Sequence, residues 1–286
     1  MFRSLEKGDE MPNWLRHRND LMAIFNNARF WLRHYVHGYY AVNNSAMVSM
    51  PVNRLFFPLK NPNGGRNTIA DSSDTHVLAF GRMYFIPAFL PVRFSLDSQL
   101  YFLSIHTNLD IFPNVELFSG CHRMLDIPSP PETSELMEVF DEPQDTSFFD
   151  ALRIGSMVLS IMCRLLDFYS PKEFAVPLAL KRFSSISNFL NQNATARTSV
   201  NELADIHGVS RENFTRKFTR VTGLTPKKII DHFVARRCID LIDAGGSFKE
   251  IAHQLKFSNE FAFSRYFKRV TGESPKNWCR KNGRRW

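Results

Sequence analysis

The side chains of this chain best suited to chemistry are cations. From Lys181 onward, 21 lysines and arginines stand against nine acidic residues, a local charge of +12. The first 180 residues hold 15 basic and 19 acidic side chains, so that part carries −4 of the overall +8. Clustered ammonium and guanidinium groups bind phosphates. A basic C-terminal third on a mildly acidic body therefore points to a nucleic-acid-binding module attached to something else. Charge alone would serve an acidic membrane surface equally well, so the choice needs a structural argument. Other reactive chemistry has little support. Cys121, Cys163, Cys238 and Cys279 show no C-x-x-C or chelating spacing and read as reduced, mostly buried thiols. His76, His106 and His122 are widely spaced, a poor basis for a three-histidine metal site. There is no G-x-S-x-G, no P-loop and no pair of catalytic carboxylates. The reading is of a protein with no catalytic residues, no metal and no cofactor.

The basic side chains sit on an internal repeat that can position them. Glu202-Leu203-Ala204 matches Glu250-Ile251-Ala252, and Phe214-Thr215-Arg216-Lys217-Phe218 matches Phe263-Ser264-Arg265-Tyr266-Phe267. Arg220-Val221-Thr222-Gly223 matches Arg269-Val270-Thr271-Gly272, and Pro226 matches Pro275. The offset is 48 residues early in the repeat and 49 later, so the second copy has one extra residue in its turn. Each copy opens on an S-x-x-E capping box, Ser199 to Glu202 and Ser247 to Glu250, which satisfies free amides at a helix start. A small alanine then lets a second helix cross closely. Gly208 permits a positive φ in the first turn. Ser210 and Ser258 are placed to cap the second helices. Those helices bury Phe214 and Phe218, or Phe263 and Phe267, at i and i+4, and end at Gly223 or Gly272. This is the helix-turn-helix plan, in which one helix braces and the next enters the major groove. Pro226 to Asp243 is long enough for a connecting helix of roughly 27 Å, with Ile230, Val234, Cys238, Leu241 and Ile242 as its buried stripe. Such a rod would hold two reading helices about 34 Å apart, one turn of DNA.

The rest of the chain must carry something else. At 286 residues there is room for two ordinary domains, and 44% hydrophobic with 22% charged residues describes a globular protein. No run approaches the ~18 apolar residues of a membrane span. The polar N-terminus, MFRSLEKGDEMPNW, lacks the apolar core of a signal peptide, so the cytoplasm is the expected location. Up to about residue 140 the sequence reads as β-rich: Leu55 to Phe57, His76 to Phe80, Arg82 to Ile86 and Leu100 to His106 alternate with breakers such as 61–65, Pro87 and Pro91. A proline-rich acidic joint follows, and then a helix over Ser147 to Tyr169 that packs on a sister subunit or on its own domain. The predicted fold class is α+β in two domains: a β domain at 1–170, a linker at 171–180 and an all-helical unit at 181–286.

Residues from about 180 to 281 resemble the DNA-binding domain of the AraC/XylS family of bacterial transcription regulators. The resemblance rests on Glu250-Ile251-Ala252, Phe257-Ser258, Phe263, Phe267-Lys268, Gly272, Ser274-Pro275 and Arg280. Lys256 departs from it, standing where the family usually has glycine, and Val234 stands at a common arginine. By position, the resemblance implies that Arg211, Glu212, Thr215 and Arg216 in the first copy read bases, and Asn259, Glu260, Phe261, Ser264 and Arg265 in the second. The chemistry agrees: arginine bonds guanine, glutamate accepts from cytosine N4, and Phe261 meets a thymine methyl. Lys217, Arg220, Lys227, Lys228, Lys268, Arg269 and Lys276 read as phosphate contacts. In the first 165 residues the piece Gly81 to Phe94 resembles the central hairpin of the cupin-like β-barrel that family members often carry. That barrel commonly binds a sugar or related molecule. Trp31, Arg33, Tyr35, Tyr39, Arg82, Phe85, Arg93 and Tyr101 are the candidate effector contacts. The implied partners are double-stranded DNA, a small-molecule effector, a second copy of the chain and RNA polymerase, with no membrane. Two rivals stay open: a front domain that only dimerises or binds a protein, and a metal-dependent cupin enzyme.

Overall fold

The computed structural model describes residues 28–44, 46–61, 66–112, 115–141, 147–174 and 180–281. The polar N-terminus, the breakers at 62–65 and residues 175–179 of the expected linker lie outside the described residues.

The β-rich part holds two antiparallel sheets. In the first, β1 (Arg29–Tyr39), β8 (Tyr101–Phe112), β3 (Asn53–Lys60), β6 (Arg82–Ile86) and β10 (Leu125–Pro128) pair in that order, and β9 (Val115–Glu116) joins β8. The second runs β2 (Val42–Asn43), β7 (Arg93–Leu96), β4 (Thr68–Ala70), β5 (Thr75–Val77). Side chains alternate across a strand, so the first sheet has two apolar faces. Leu55, Phe57, Met83, Phe85, Leu103 and Ile105 face one way, into a cluster with Ile154, Met157, Val158 and Ile161. Phe56, Tyr84, Ile86 and Phe102 face the other, against Ile69, Phe94 and Leu96 of the second sheet. The central sheet thus lies between a sheet and a helical layer. That layer is α1 (Glu132–Asp141) and α2 (Phe148–Arg164), the latter started by a Ser147/Asp150 capping box. The expected helix over Ser147 to Tyr169 is this one, prolonged by a 3-10 turn at Leu165–Phe168. It packs on its own domain, while Phe149 and Leu152 on its far side are exposed.

The helical part follows the repeat. α3 (Ser184–Asn193) precedes α4 (Val200–His207) and α5 (Arg211–Thr222), then α6 (Pro226–Asp243), α7 (Phe248–Gln254), α8 (Glu260–Thr271) and α9 (Pro275–Lys281). Both predicted S-x-x-E boxes form, with Ser199 and Ser247 accepting from the amides of Glu202 and Glu250. Gly208, Gly223 and Gly272 take the left-handed backbone at the ends of α4, α5 and α8. Phe214, Phe218, Phe263 and Phe267 are fully buried in one core with Ile230, Val234, Cys238 and Ile242 of α6. Full burial of such a side chain contributes about 1.5–3 kcal/mol, and Leu203, Ile251 and Leu255 are buried in the same core.

Candidate nucleic-acid interface

Each helix-turn-helix unit presents one hydrophilic face. On α5, Arg211, Glu212, Asn213, Arg216, Lys217 and Arg220 are exposed and Thr215 is half-buried. On α8 and its cap, Asn259, Glu260, Phe261, Arg265, Lys268 and Arg269 are exposed and Ser264 is half-buried. The nine expected base-reading positions therefore gather on the outward sides of two structurally equivalent helices. Lys227, Lys228 and Lys276 are exposed near the starts of α6 and α9. Lys227 pairs with Asp231 at 3.3 Å, one turn on. The Nη2 of Arg216 donates to Asn213 Oδ1 at 2.8 Å, which orders its guanidinium along the helix.

The extra residue of the second copy has a definite place. Ser210 caps α5 by accepting from the Asn213 amide. In the second copy the cap is Asn259, not Ser258: its Oδ1 accepts from the Ala262 amide at 2.8 Å, and α8 begins at Glu260. The 48-to-49 shift in offset is therefore the insertion of a capping asparagine. The cap engages the single side-chain oxygen of Asn259 and leaves its NH2 group as a donor. The turn before it carries Lys256 at φ +56, where the first copy has Gly208 at +72. The fold thus holds a lysine in the left-handed region, at a cost of about 1 kcal/mol.

α6 has a second face. His232, Arg236, Asp240 and Asp243, at helical spacing, meet the β domain. The His232 ring stacks on Phe89 with centroids 3.4 Å apart and planes 7° apart. Arg236 Nη2 donates to Asp110 Oδ2 at 2.9 Å, and both side chains are buried. Arg33 Nη1 lies 2.7 Å from Asp240 and 3.7 Å from Asp243. Trp31 Nε1 donates to the same Asp110 oxygen at 3.0 Å. Burial raises the Asp110 carboxyl against the lowering pull of Arg236 and Arg33. Burial likewise pushes the neighbouring Glu116 up to about 8, although Asn53 Nδ2 donates to it. Beside this network, Gly272 abuts Val48, and Trp278 of α9 lies near His106. Met50, Val52, Ile111 and Val115 share the core of the helical part.

The eight expected effector contacts are not brought to one place. Trp31 and Arg33 belong to the junction with α6. Tyr35 lies against Phe140, and Tyr39 against Tyr101. Tyr39 also lines an open groove of about 570 Å³ with Lys60, Asn61, Ser98 and Gln99. Arg82 pairs with Asp126 at 2.7 Å, and Arg93 is exposed. Phe85 is fully buried on the face toward α2. Sequence reasoning missed Asp110, Arg236, Asp240 and Asp243. Arg236, Asp240 and Asp243 lie at helical spacing on α6, whereas Asp110 on β8 carries no such signal. Among the described residues no group of three or more His, Cys, Asp or Glu is placed to hold a metal ion, and no helix is long and apolar enough to cross a membrane.

Residues 203–281, which span both units, match the family described as a helix-turn-helix domain. The C-terminal part of the chain is an AraC-type helix-turn-helix domain. The likeness to curated regulators covers part of their length. The raffinose operon transcriptional regulatory protein RafR of Pediococcus pentosaceus is 22% identical over 154 residues, 53% of this chain and 55% of that protein. The uncharacterized HTH-type transcriptional regulator YbfI of Bacillus subtilis (strain 168) is 26% identical over 112 residues, 38% of this chain and 41% of that protein. The chain thus spans about half the length of the curated relatives it matches. Among solved structures, unsaturated fatty acid-bound ToxT from Vibrio cholerae superposes over 87% of this chain and 94% of its own, with a TM-score of 0.57 and 13% identity. ToxT bound to (E)-4-(8-methylnaphthalen-1-yl)but-3-enoic acid covers 89% of this chain and 97% of its own, with a TM-score of 0.53 and 14% identity. The two-domain fold, an antiparallel β domain followed by an AraC-type helical domain, is therefore that of ToxT.

Proposed function

We propose that this chain is a sequence-specific DNA-binding transcription regulator and not an enzyme. Its DNA-binding domain is residues 181–286, joined through a linker at 171–180 to an effector-binding domain at 1–170. The observation that carries the reading is the pair of capped helix-turn-helix units held by one 18-residue helix. At 1.5 Å per residue that helix is about 27 Å long, which suits entry into successive major grooves on one face of DNA. Arg211, Glu212, Thr215 and Arg216, with Asn259, Glu260, Phe261, Ser264 and Arg265, read base edges. Lys217, Arg220, Lys227, Lys228, Lys268, Arg269 and Lys276 hold phosphates and set register.

Regulation runs by linkage: an effector that prefers one arrangement of the domains changes affinity for operator DNA. A sugar or related metabolite is the effector class in keeping with the raffinose-operon relative. A second reading, an apolar carboxylic acid, is favoured by the phenylalanines between the two sheets, Phe56, Phe94 and Phe102, and by the acids bound in the two ToxT structures. The chain works in the cytoplasm as a homodimer that meets RNA polymerase at the promoter, with the exposed Phe149 and Leu152 of α2 as the dimer contact.

The test is selection of genomic fragments by the full chain, followed by titration of variants. Arg216→Ala and Arg265→Ala each weaken binding to the selected site by about 1–3 kcal/mol and leave scrambled DNA much less affected. Equal losses on both DNAs would remove the reader assignment. Thermal-shift titrations with raffinose and with oleate separate the effector classes, because a ligand of the native state alone raises the melting temperature. No shift with either would make the front domain a dimerisation or protein-binding platform.

A further inference from the structure

The two reading helices place opposite chemistries at one equivalent position. With the 49-residue offset of α5 and α8, Arg216 corresponds to Arg265, Phe214 to Phe263 and Glu212 to Phe261. Glu212 and Phe261 are both second residues of their helices, one after the first residue that follows the cap, and both are exposed. Phe261 is 72% exposed, whereas the four other phenylalanines of the two reading helices are fully buried. Around it stand Glu260, Arg265, Lys268 and Arg269, a charged face and not an apolar patch. A single exposed ring among cations lacks the neighbours that would make a protein-docking surface. It suits an apolar spot on a polyanion, and in the major groove that spot is the thymine C5 methyl.

We infer that Phe261 is a specificity-determining residue which selects thymine in the second half-site, and that Glu212 selects cytosine at the corresponding base of the first. The inference rests on the DNA-reading function proposed above. Its chemistry is local: the thymine methyl and the cytosine N4 amine lie on the same major-groove edge of a pyrimidine. A ring at this position covers the methyl. A carboxylate there accepts from the amine, and would face the thymine O4 unfavourably. The two half-sites therefore differ by a pyrimidine transition at one base, although the units that read them are copies of one design. An asymmetric pair of half-sites also fixes which way the protein lies along the duplex.

The experiment uses the full chain and the DNA site obtained by selection, with thymine replaced by deoxyuridine one position at a time. This substitution deletes the methyl and leaves the base-pairing edge intact. Wild-type protein is expected to lose about fourfold in affinity at one thymine of the second half-site, the worth of one buried methyl group. Phe261→Ala is expected to bind the thymine and deoxyuridine sites equally at that position, and Phe261→Glu to prefer cytosine there. Because Phe261 touches solvent and not the core, these variants keep the wild-type melting temperature. Uniform indifference to deoxyuridine by the wild-type protein, with specific binding intact, overturns the assignment of Phe261 alone. Failure of the chain to select any sequence overturns the DNA-reading function itself.

Discussion

Asp110 and Arg236 are 126 residues apart in the chain, and their side chains meet at 2.9 Å in the interior. One belongs to the long strand β8, the other to the helix that carries both DNA-reading units. Neither charge would be tolerable there without the other. Arg236→Met strands a carboxylate that is already short of solvent, and the expected cost is about 3–5 kcal/mol in urea unfolding. The double variant Asp110→Leu/Arg236→Met removes both charges and is expected to recover most of that loss. A double variant as unstable as the single one would mean that the pair does not act as a unit.

Glu116 makes the same junction sensitive to pH. Its carboxyl is held up to about 8 in the folded chain, by burial first of all, against an ordinary value of 4.5. Between these values the folded state keeps a proton that the unfolded state has released. The resulting stability is fully present below about 4.5 and is lost as pH rises toward 8. Glu116→Gln keeps the acceptor for Asn53 and cannot ionise. Its melting temperature should fall less steeply than that of the wild type from pH 6 to pH 8. Parallel profiles would show that Glu116 ionises normally.

Lys256 offers a test in the opposite direction. It is exposed and sits at φ +56, where glycine has no steric penalty. Lys256→Gly is expected to stabilise the chain by about 1 kcal/mol, read as a higher denaturant midpoint with an unchanged slope. A loss of stability instead would show that the lysine side chain makes a contact worth more than the backbone strain.

Gly272 is constrained twice. Its φ is +77, and a Cβ there would collide with the Val48 side chain in the β domain. Gly272→Ala is expected to cost well over the roughly 1 kcal/mol of a left-handed alanine. Val48→Ala in the same chain should return part of the excess, because it deletes the two nearest atoms. Strict additivity of the two substitutions would place the residues out of contact.

The helical part was legible in the sequence because each of its devices is local. The Ser199 and Ser247 boxes, the glycines after α4, α5 and α8, and the phenylalanines at i and i+4 all declare themselves within a dozen residues. The one slip there, Ser258 for Asn259 as the cap, came from two adjacent residues of equal capping ability. The β domain was readable as strands, but not as surfaces. Aromatic side chains suggest a pocket without saying which side of a strand they leave from. Tyr84 and Phe85 are neighbours that face opposite layers. The network between Arg33, Asp110, Arg236 and Asp240 was out of reach as a whole: Arg236 and Asp240 are one turn apart on α6, but nothing in the sequence pairs them with Arg33 on β1 or Asp110 on β8.

The two-sided character of α6 bears on how such regulators are recombined. One side of the rod is apolar and completes both reading units; the other carries Arg236, Asp240 and Asp243 into the β domain. Cutting the chain between the two parts and grafting residues 180–281 onto a foreign sensor would take Asp110 away from Arg236 and leave it only the more distant Asp240 of its own helix. A new sensor would need an acid at the place of Asp110 and a base at the place of Arg33, or a helix recoded to be neutral on that side. The domains are separable in sequence, but the boundary between them is written on a helix that belongs to both.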